Sequence, residues 1–280
     1  MNATEEWYDV DRLTDHSWRL TEAVLFGSFL VEGEDRALLI DAGSGAGDLR
    51  GMVEQLVDVP VTLLLSHSHW DHIGAAHQFD DVCIHPRERT ADGRVTTDVV
   101  TDDFGYAPED WVADWRAADR PFPDGFDPDG FEIQPVEDVA AVEPGDTIDL
   151  GGRTLELHHV PGHSPGQLAA LDREDGVLYG GDVLHREHAL YVHFEGCDLS
   201  AYLDTLERLC DLRDAGAFDT LHVSHAPSLS GDELSLLDSF RDGVADILAG
   251  ELEGERVDDH PPAVRYEIAG KDVLVDPDTV

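Results

Sequence analysis

Lysine is almost missing from this chain of 280 residues: of 18 basic side chains, Lys271 alone is a lysine. Against them stand 61 acids, 40 of them aspartate, for a formal charge of −43 and a pI near 4.3. So few cations exclude the basic stripe that recognises nucleic-acid phosphates, and they exclude attraction to an anionic membrane surface. Cysteine is scarce too. Cys83, Cys197 and Cys210 are odd in number and form no CxxC pair, which rules out a disulfide scaffold and fits buried thiols in a reducing compartment. Long apolar runs are lacking: none approaches the ~20 residues that span a bilayer. The opening residues, Met1-Asn-Ala-Thr-Glu-Glu, show no basic or apolar segment of a secretory signal, so a soluble, cytoplasmic protein is expected.

What is there supports a sizeable core. Hydrophobic residues make up 41% of the chain and aromatics 8%, enough for one large domain or two small ones. The acids are spread through the whole sequence, so the charge is not a separate acidic tail. Unscreened, it destabilises any compact state. At ~1 M salt the Debye length falls to roughly 3 Å and the repulsion is quenched. We read the acidity as adaptation to the salt-laden cytoplasm of an extreme halophile, in preference to a surface for a basic partner.

Patterning predicts alternating strands and helices. Strands are expected at Val24–Val31, Ala37–Ile40 and Val61–Leu65, with an amphipathic stretch over 48–57. A helix, a strand at Val82–Ile84 and a further helix follow within 73–94. Residues 95–135 are rich in Asp, Pro and Gly yet hold Phe104, Tyr106, Trp111, Trp115, Phe122, Phe126 and Phe131. Disordered linkers are poor in aromatics, so an ordered insertion is expected. Trp111 and Trp115 either wall an apolar substrate pocket or pack as core. Strands are predicted at 147–150, 154–159, 167–171, 177–179 and 220–224, and helices over 200–215 and after the Ser230/Glu233 capping box. Two sheets packed between helices are expected. The expected organisation is a catalytic domain over 1–254 with its insertion at 95–135, then a β-hairpin extension over 255–280.

The chemistry concentrates in Ser66-His67-Ser68-His69-Trp70-Asp71-His72, directly after the predicted buried strand. Four potential ligands fall within six residues. Imidazole and carboxylate together suit zinc, iron or manganese, and a loop closing a rigid strand fixes such ligands well.

His-x-His-x-Asp-His after a strand resembles the metal signature of the metallo-β-lactamase superfamily. Further matches follow in order. Leu39-Ile-Asp-Ala-Gly43 resembles the strand whose Asp41 supports the metal loop, and Pro161-Gly-His-Ser-Pro-Gly-Gln167 the loop carrying the next ligand, His163. Gly180-Gly-Asp-Val183 resembles the bridging-carboxylate motif, with Asp182, and Ser224-His-Ala-Pro227 the last-ligand motif, with His225. The resemblance implies an αββα sandwich holding two Zn2+ per chain, with Fe or Mn as alternatives. One metal would take His67, His69 and His163, the other Asp71, His72 and His225, with Asp182 bridging. It implies a metal-bridged hydroxide that cleaves a carbonyl or phosphoryl ester, with Asp71 orienting it or carrying a proton.

Within the superfamily, Asp182 stands where the common zinc β-lactamases have cysteine, and there is no room for a flavodoxin domain. Few cations argue against the nuclease branches. What remains looks like the glyoxalase II, lactonase and acyl-thioesterase group, acting on a thioester, ester or lactone. The stretch from Glu143 through Tyr202 is similar to a subgroup of acyl-CoA thioesterases. The basic residues by which eukaryotic glyoxalase II contacts glutathione are not evident. His185, where some lactonases place a substrate-contacting Tyr, and Tyr191 are candidates to hydrogen-bond the scissile carbonyl. His158 and His159 are candidates for a supporting role. His16, His77, His85, His188, His193, His222 and His260 fit no ligand motif. A second reading on the same fold is a persulfide dioxygenase with one iron on His67, His163 and Asp182. The expected partners are a small-molecule substrate, no nucleic acid and no membrane, in a monomer or homodimer.

Overall fold

A computed structural model of the chain describes residues 7–23, 25–97, 99, 106–186, 188–225, 227–259 and 261–280. Val24, Phe104 and His260 lie outside the described residues. The chain divides into two compact units, the first drawing on residues up to Val99, Tyr106–Val142 and Ile148–Thr154, the second on Glu143–Thr147 and Leu155–Val280. Each has its own apolar core.

The first unit is built on a seven-stranded sheet whose strands follow chain order: β1 (Tyr8–Arg12), β2 (Ser17–Glu22), β3 (Phe26–Glu32), β4 (Ala37–Ile40), β5 (Val61–Leu64), β6 (Val82–Ile84) and β7 (Ala140–Ala141). Pairing is antiparallel through β4 and parallel from β4 to β7. The parallel centre is covered on both faces, so every residue of β4 and β6 is buried and these strands read as unbroken apolar runs. β1 and β2 escaped the pattern reading because β1 buries only Tyr8 and exposes the next four residues. Helix α1 (Leu49–Val53) starts under Asp48, whose side chain accepts from Gly51 N. It is shorter than the amphipathic stretch suggested.

One-turn helix α2 (Trp70–Ile73) carries the end of the ligand motif. The helix expected after β6 is instead a 3-10 turn at Pro86–Glu88. The insertion forms α3 (Pro108–Ala117), with Pro108 at its first turn and the Asp110 carboxylate accepting from Ala107 N. Trp111, 2% exposed, packs its ring within 6.4 Å, centroid to centroid, of Phe26, Trp70, Trp115, Phe122, Phe126 and Phe131. Among the described residues of the insertion, Trp111 is therefore packed in a cluster of rings.

Strands β9 (Thr154–His159), β10 (Leu168–Asp172), β11 (Val177–Tyr179), β13 (Thr220–His222) and β14 (Leu229–Ser230), nearly all in the second unit, belong to a six-stranded sheet with β8 (Thr147–Asp149) at one edge, in the order β14-β13-β11-β10-β9-β8. A further four-stranded sheet, beyond the two anticipated, joins β12 (Leu190–Val192) to β15 (Glu255–Val257), β16 (Ala263–Ile268) and β17 (Lys271–Val275). β16 and β17 are the terminal hairpin, and β17 pairs in parallel with β12. Helices α4 (Leu199–Asp214) and α5 (Leu236–Leu248) bury Leu206, Leu209, Leu237, Phe240 and Val244 in the same core. Among the described residues, no helix is long and apolar enough to cross a membrane.

Candidate metal centre

In the first unit the chain leaves β5 still extended and delivers His67 and His69 before turning into α2. His67, His69 and His72 are all at most 3% exposed; Asp71 keeps 12% of its side chain in solvent. His67 Nε2 lies 3.0 Å from His69 Nδ1, and the His67 and His72 rings are 4.0 Å apart. Neutral imidazoles tolerate such burial where charged groups would not.

Asp41, at the end of β4, organises the loop. Its Oδ1 accepts from Ser66 N at 2.7 Å, and its Oδ2 accepts from Ser66 Oγ at 2.9 Å and from His72 Nδ1 at 2.8 Å. With the Ser66 hydroxyl proton committed to Asp41, Ser66 Oγ accepts from His67 Nδ1 at 3.0 Å. Protons on Nδ1 make Nε2 the lone-pair nitrogen of His67 and His72, the side a metal would use in the usual carboxylate–histidine arrangement. Asp41 achieves this from a left-handed backbone (φ 64°).

Two further carboxylates brace the motif without touching it as ligands. Glu88, fully buried, accepts from Ser68 N and Ser68 Oγ at 3.0 and 2.7 Å. Glu22 accepts from Trp7 Nε1, Ser44 N, Ser44 Oγ and Gly47 N. Burial pushes its carboxyl above the ordinary range, and those four donors oppose the shift. The 42–47 loop in turn holds α2, through Ala42 N to His72 O (2.7 Å) and Gly74 N to Gly43 O (2.9 Å). The two backbones pass so closely that a Cβ on Gly74 would sit 2.1 Å from Ser44 C. Neither glutamate stands out in the sequence, since each acts on residues about 20 positions away.

In the second unit three loops converge. His163 lies on the turn after β9, Asp182 and His185 follow β11, and His225 follows β13. The loops are laced together by Val160 N to Gln167 O (2.9 Å), Gly180 N to His222 O (2.8 Å), Ser224 N to Gly181 O (3.1 Å) and Gln167 Nε2 to Gly180 O (3.1 Å). Asp182 Oδ2 faces three imidazole Nε2 atoms: His185 at 3.2 Å, His225 at 3.3 Å and His163 at 3.6 Å. His163 Nδ1 donates to Tyr191 O, and His185 Nδ1 to Ala189 O, each at 2.8 Å. The Tyr191 ring is 6.0 Å from that of His185. His158 and His159 turn elsewhere, His158 to 3.7 Å from Glu156 and His159 to the Pro165 carbonyl.

These spacings fit a metal. Ligands about 2.0–2.1 Å from a tetrahedral zinc stand roughly 3.3–3.4 Å apart; His67 and His69 present nitrogens 3.0 Å apart, three imidazoles stand 3.2–3.6 Å from Asp182 Oδ2, and Asp71 and His72 are wider at 3.9 Å. Asp182, His185 and His225 form a group able to hold an ion by themselves.

The model of the Metallo-beta-lactamase superfamily matches residues 28–251. This chain belongs to that superfamily. It shares the family's α/β sandwich fold and is a hydrolase of that class. It is 29% identical over 251 residues to the human acyl-coenzyme A thioesterase MBLAC2, covering 84% of this chain and 86% of that one. To the Gallus gallus protein of the same name it is 30% identical over 220 residues, 75% of this chain and 76% of that one. Among solved structures, a metallo-beta-lactamase from Pontibacter korlensis superposes with a TM-score of 0.55 at 16% identity, over 85% of this chain and 99% of that one. A superfamily protein from Thermus thermophilus gives a TM-score of 0.57 at 20% identity, over 85% and 82%. At those identities the structures speak for the fold alone.

Proposed function

We propose that this superfamily member is a metal-dependent thioesterase acting on acyl-CoA. The observation that carries this reading is the match to acyl-CoA thioesterases along 84% of the chain, in a chain that keeps every ligand of the family motif. It favours a thioester over the lactone and the glyoxalase II substrate. The proposed ligands are His67, His69 and His163 for one zinc and Asp71, His72 and His225 for the other, with Asp182 shared; iron or manganese suits the same donors. When bound, the metals lower the pKa of a water and polarise the carbonyl.

The residues supply the rest. Asp41, Ser66, Tyr191 O and Ala189 O hold imidazole protons on Nδ1, which keeps Nε2 pointed inward. Asp71, the most exposed acid of the motif, takes the proton as water oxygen bonds to the thioester carbon. It returns that proton to sulfur as the C–S bond breaks, giving carboxylic acid and thiol. Tyr191 is the proposed hydrogen-bond donor to the carbonyl oxygen. Residues 255–280 extend the catalytic domain, supported by the pairing of β17 with β12. The cellular setting proposed is a salt-rich cytoplasm, in keeping with the −43 charge and three cysteines that form no disulfide.

The test is initial rates in about 2–3 M KCl, where charges are fully screened. The panel holds short and long acyl-CoA, a lactoyl thioester, an acyl lactone and a phosphodiester, with and without chelator. Chelator-sensitive turnover of acyl-CoA is expected. Oxygen uptake with a persulfide by an iron-loaded chain, and no hydrolysis of any substrate, would replace this reading with the dioxygenase.

A further inference from the structure

We infer that His185 is a metal ligand, completing with Asp182 and His225 a two-histidine, one-carboxylate set within the second unit. It builds on the metalloenzyme reading above and adds a residue that neither the family motif nor the sequence pattern assigns to the metal.

Three observations lead there. His185 is 3% exposed, so its ring is committed to the interior. Its Nδ1 donates to Ala189 O at 2.8 Å, which fixes the proton on that nitrogen and leaves a lone pair at Nε2. A neutral ring held this way has no proton to offer a substrate carbonyl, the role the sequence suggested. Lastly, Nε2 lies 3.2 Å from Asp182 Oδ2 without the alignment of a hydrogen bond, and among the described residues it has no other hydrogen-bond partner.

A buried lone pair facing a carboxylate oxygen at that distance is repulsive unless a cation lies between them. His225 Nε2 stands 3.3 Å from the same oxygen, and the three donor atoms lie within 4.8 Å of one another. A carbonyl on Nδ1, a bare Nε2 and donor separations near the edge of a coordination tetrahedron are what a ligating histidine shows. The set suits zinc, iron or manganese and leaves positions open for water or further ligands.

The experiment compares the full wild-type chain with His185→Ala and His185→Cys in about 2–3 M KCl, where charge repulsion is screened. Cobalt(II) is titrated into metal-free protein, with metal stoichiometry measured in parallel and circular dichroism confirming the fold. His185→Ala is expected to weaken cobalt binding by at least about 10-fold. His185→Cys should retain binding and add a thiolate-to-cobalt charge-transfer band absent from wild type. That band arises only if side chain 185 is in the coordination sphere, so it separates ligation from a merely structural role. Unchanged affinity in His185→Ala, or no new band in His185→Cys, overturns the assignment. A wild-type chain that binds no cobalt overturns it together with the metalloenzyme reading. A chain that shows both expected cobalt results yet hydrolyses no thioester leaves His185 a ligand and sinks only the thioesterase.

Discussion

Replacing Asp41 by Asn isolates the hydrogen-bond scaffold of the metal loop. The substitution preserves volume, and asparagine accepts the left-handed backbone at this position (φ 64°) as readily as aspartate. What changes is one oxygen. In the wild type, Oδ1 receives Ser66 N, while Oδ2 receives Ser66 Oγ and His72 Nδ1. An amide offers one acceptor and one donor. With its NH2 toward Ser66 N, donor faces donor at the root of the loop. With its NH2 toward His72, the imidazole must give up its Nδ1 proton and carry it on Nε2, the nitrogen proposed to serve the metal. Hydrogen bonds to a charged group contribute about 1.5–3 kcal/mol each, so a loss of about 2–4 kcal/mol in the stability of the metal-free protein is expected. Removing such support from a ligand costs about 10–100-fold in metal affinity. Urea melts and competition with a chromophoric chelator, both in high KCl, measure the two quantities. An Asp41→Asn protein with wild-type affinity and stability would show that the carboxylate does not organise the loop.

Other perturbations follow from the same structure. Gly162→Ala, at φ 139° with a Cβ that would meet Tyr202 Cβ at 2.3 Å, should cost about 3 kcal/mol or more through combined backbone strain and overpacking; a melt within 1 °C of wild type would contradict it. The thermal midpoint should climb steeply as KCl rises from about 0.1 to 2 M, because the charge of −43 is progressively screened; a salt-independent midpoint would refute the halophilic reading. His193 has both ring nitrogens buried without hydrogen-bond partners among the described residues, and burial lowers its pKa, opposed by Asp259 and Asp276. Its folded pKa lies below the unfolded one, so its contribution to stability is complete above the unfolded value of about 6.5 and is lost as pH falls through the folded value. His193→Phe should therefore stabilise by up to about 2 kcal/mol at neutral pH and flatten the acid limb. Parallel wild-type and variant pH profiles would count against it.

The six-residue ligand cluster was legible because the superfamily's chemistry is local there. A strand followed at once by a one-turn helix gathers four candidate ligands on one short stretch, whatever the rest of the chain does. The buried parallel strands were legible for a similar reason, since burial on both faces leaves unbroken apolar runs such as Ala37–Ile40. β1 was not, because a strand that buries one residue in five carries no period for a reader to find.

Long-range contacts decided the remainder. Hydrogen bonds donated by Ser66 to Asp41, by Ser68 to Glu88 and by Ser44 to Glu22 join residues 20–25 positions apart, and burial made them obligatory, because a carboxylate removed from water must find donors. The same holds for the insertion. Its aromatics announced order, but only packing placed Trp111 in the core against Trp70, inside the ligand motif itself. His185 is the clearest case. The sequence placed it three residues after Asp182, and the choice between facing a substrate and facing the carboxylate fell to the Ala189 carbonyl, which took the Nδ1 proton and turned Nε2 inward. Residue types and their local spacing determined which groups are available to bind a metal; the tertiary structure decided which lone pairs face one another, because that depends on hydrogen-bond partners far away in the chain.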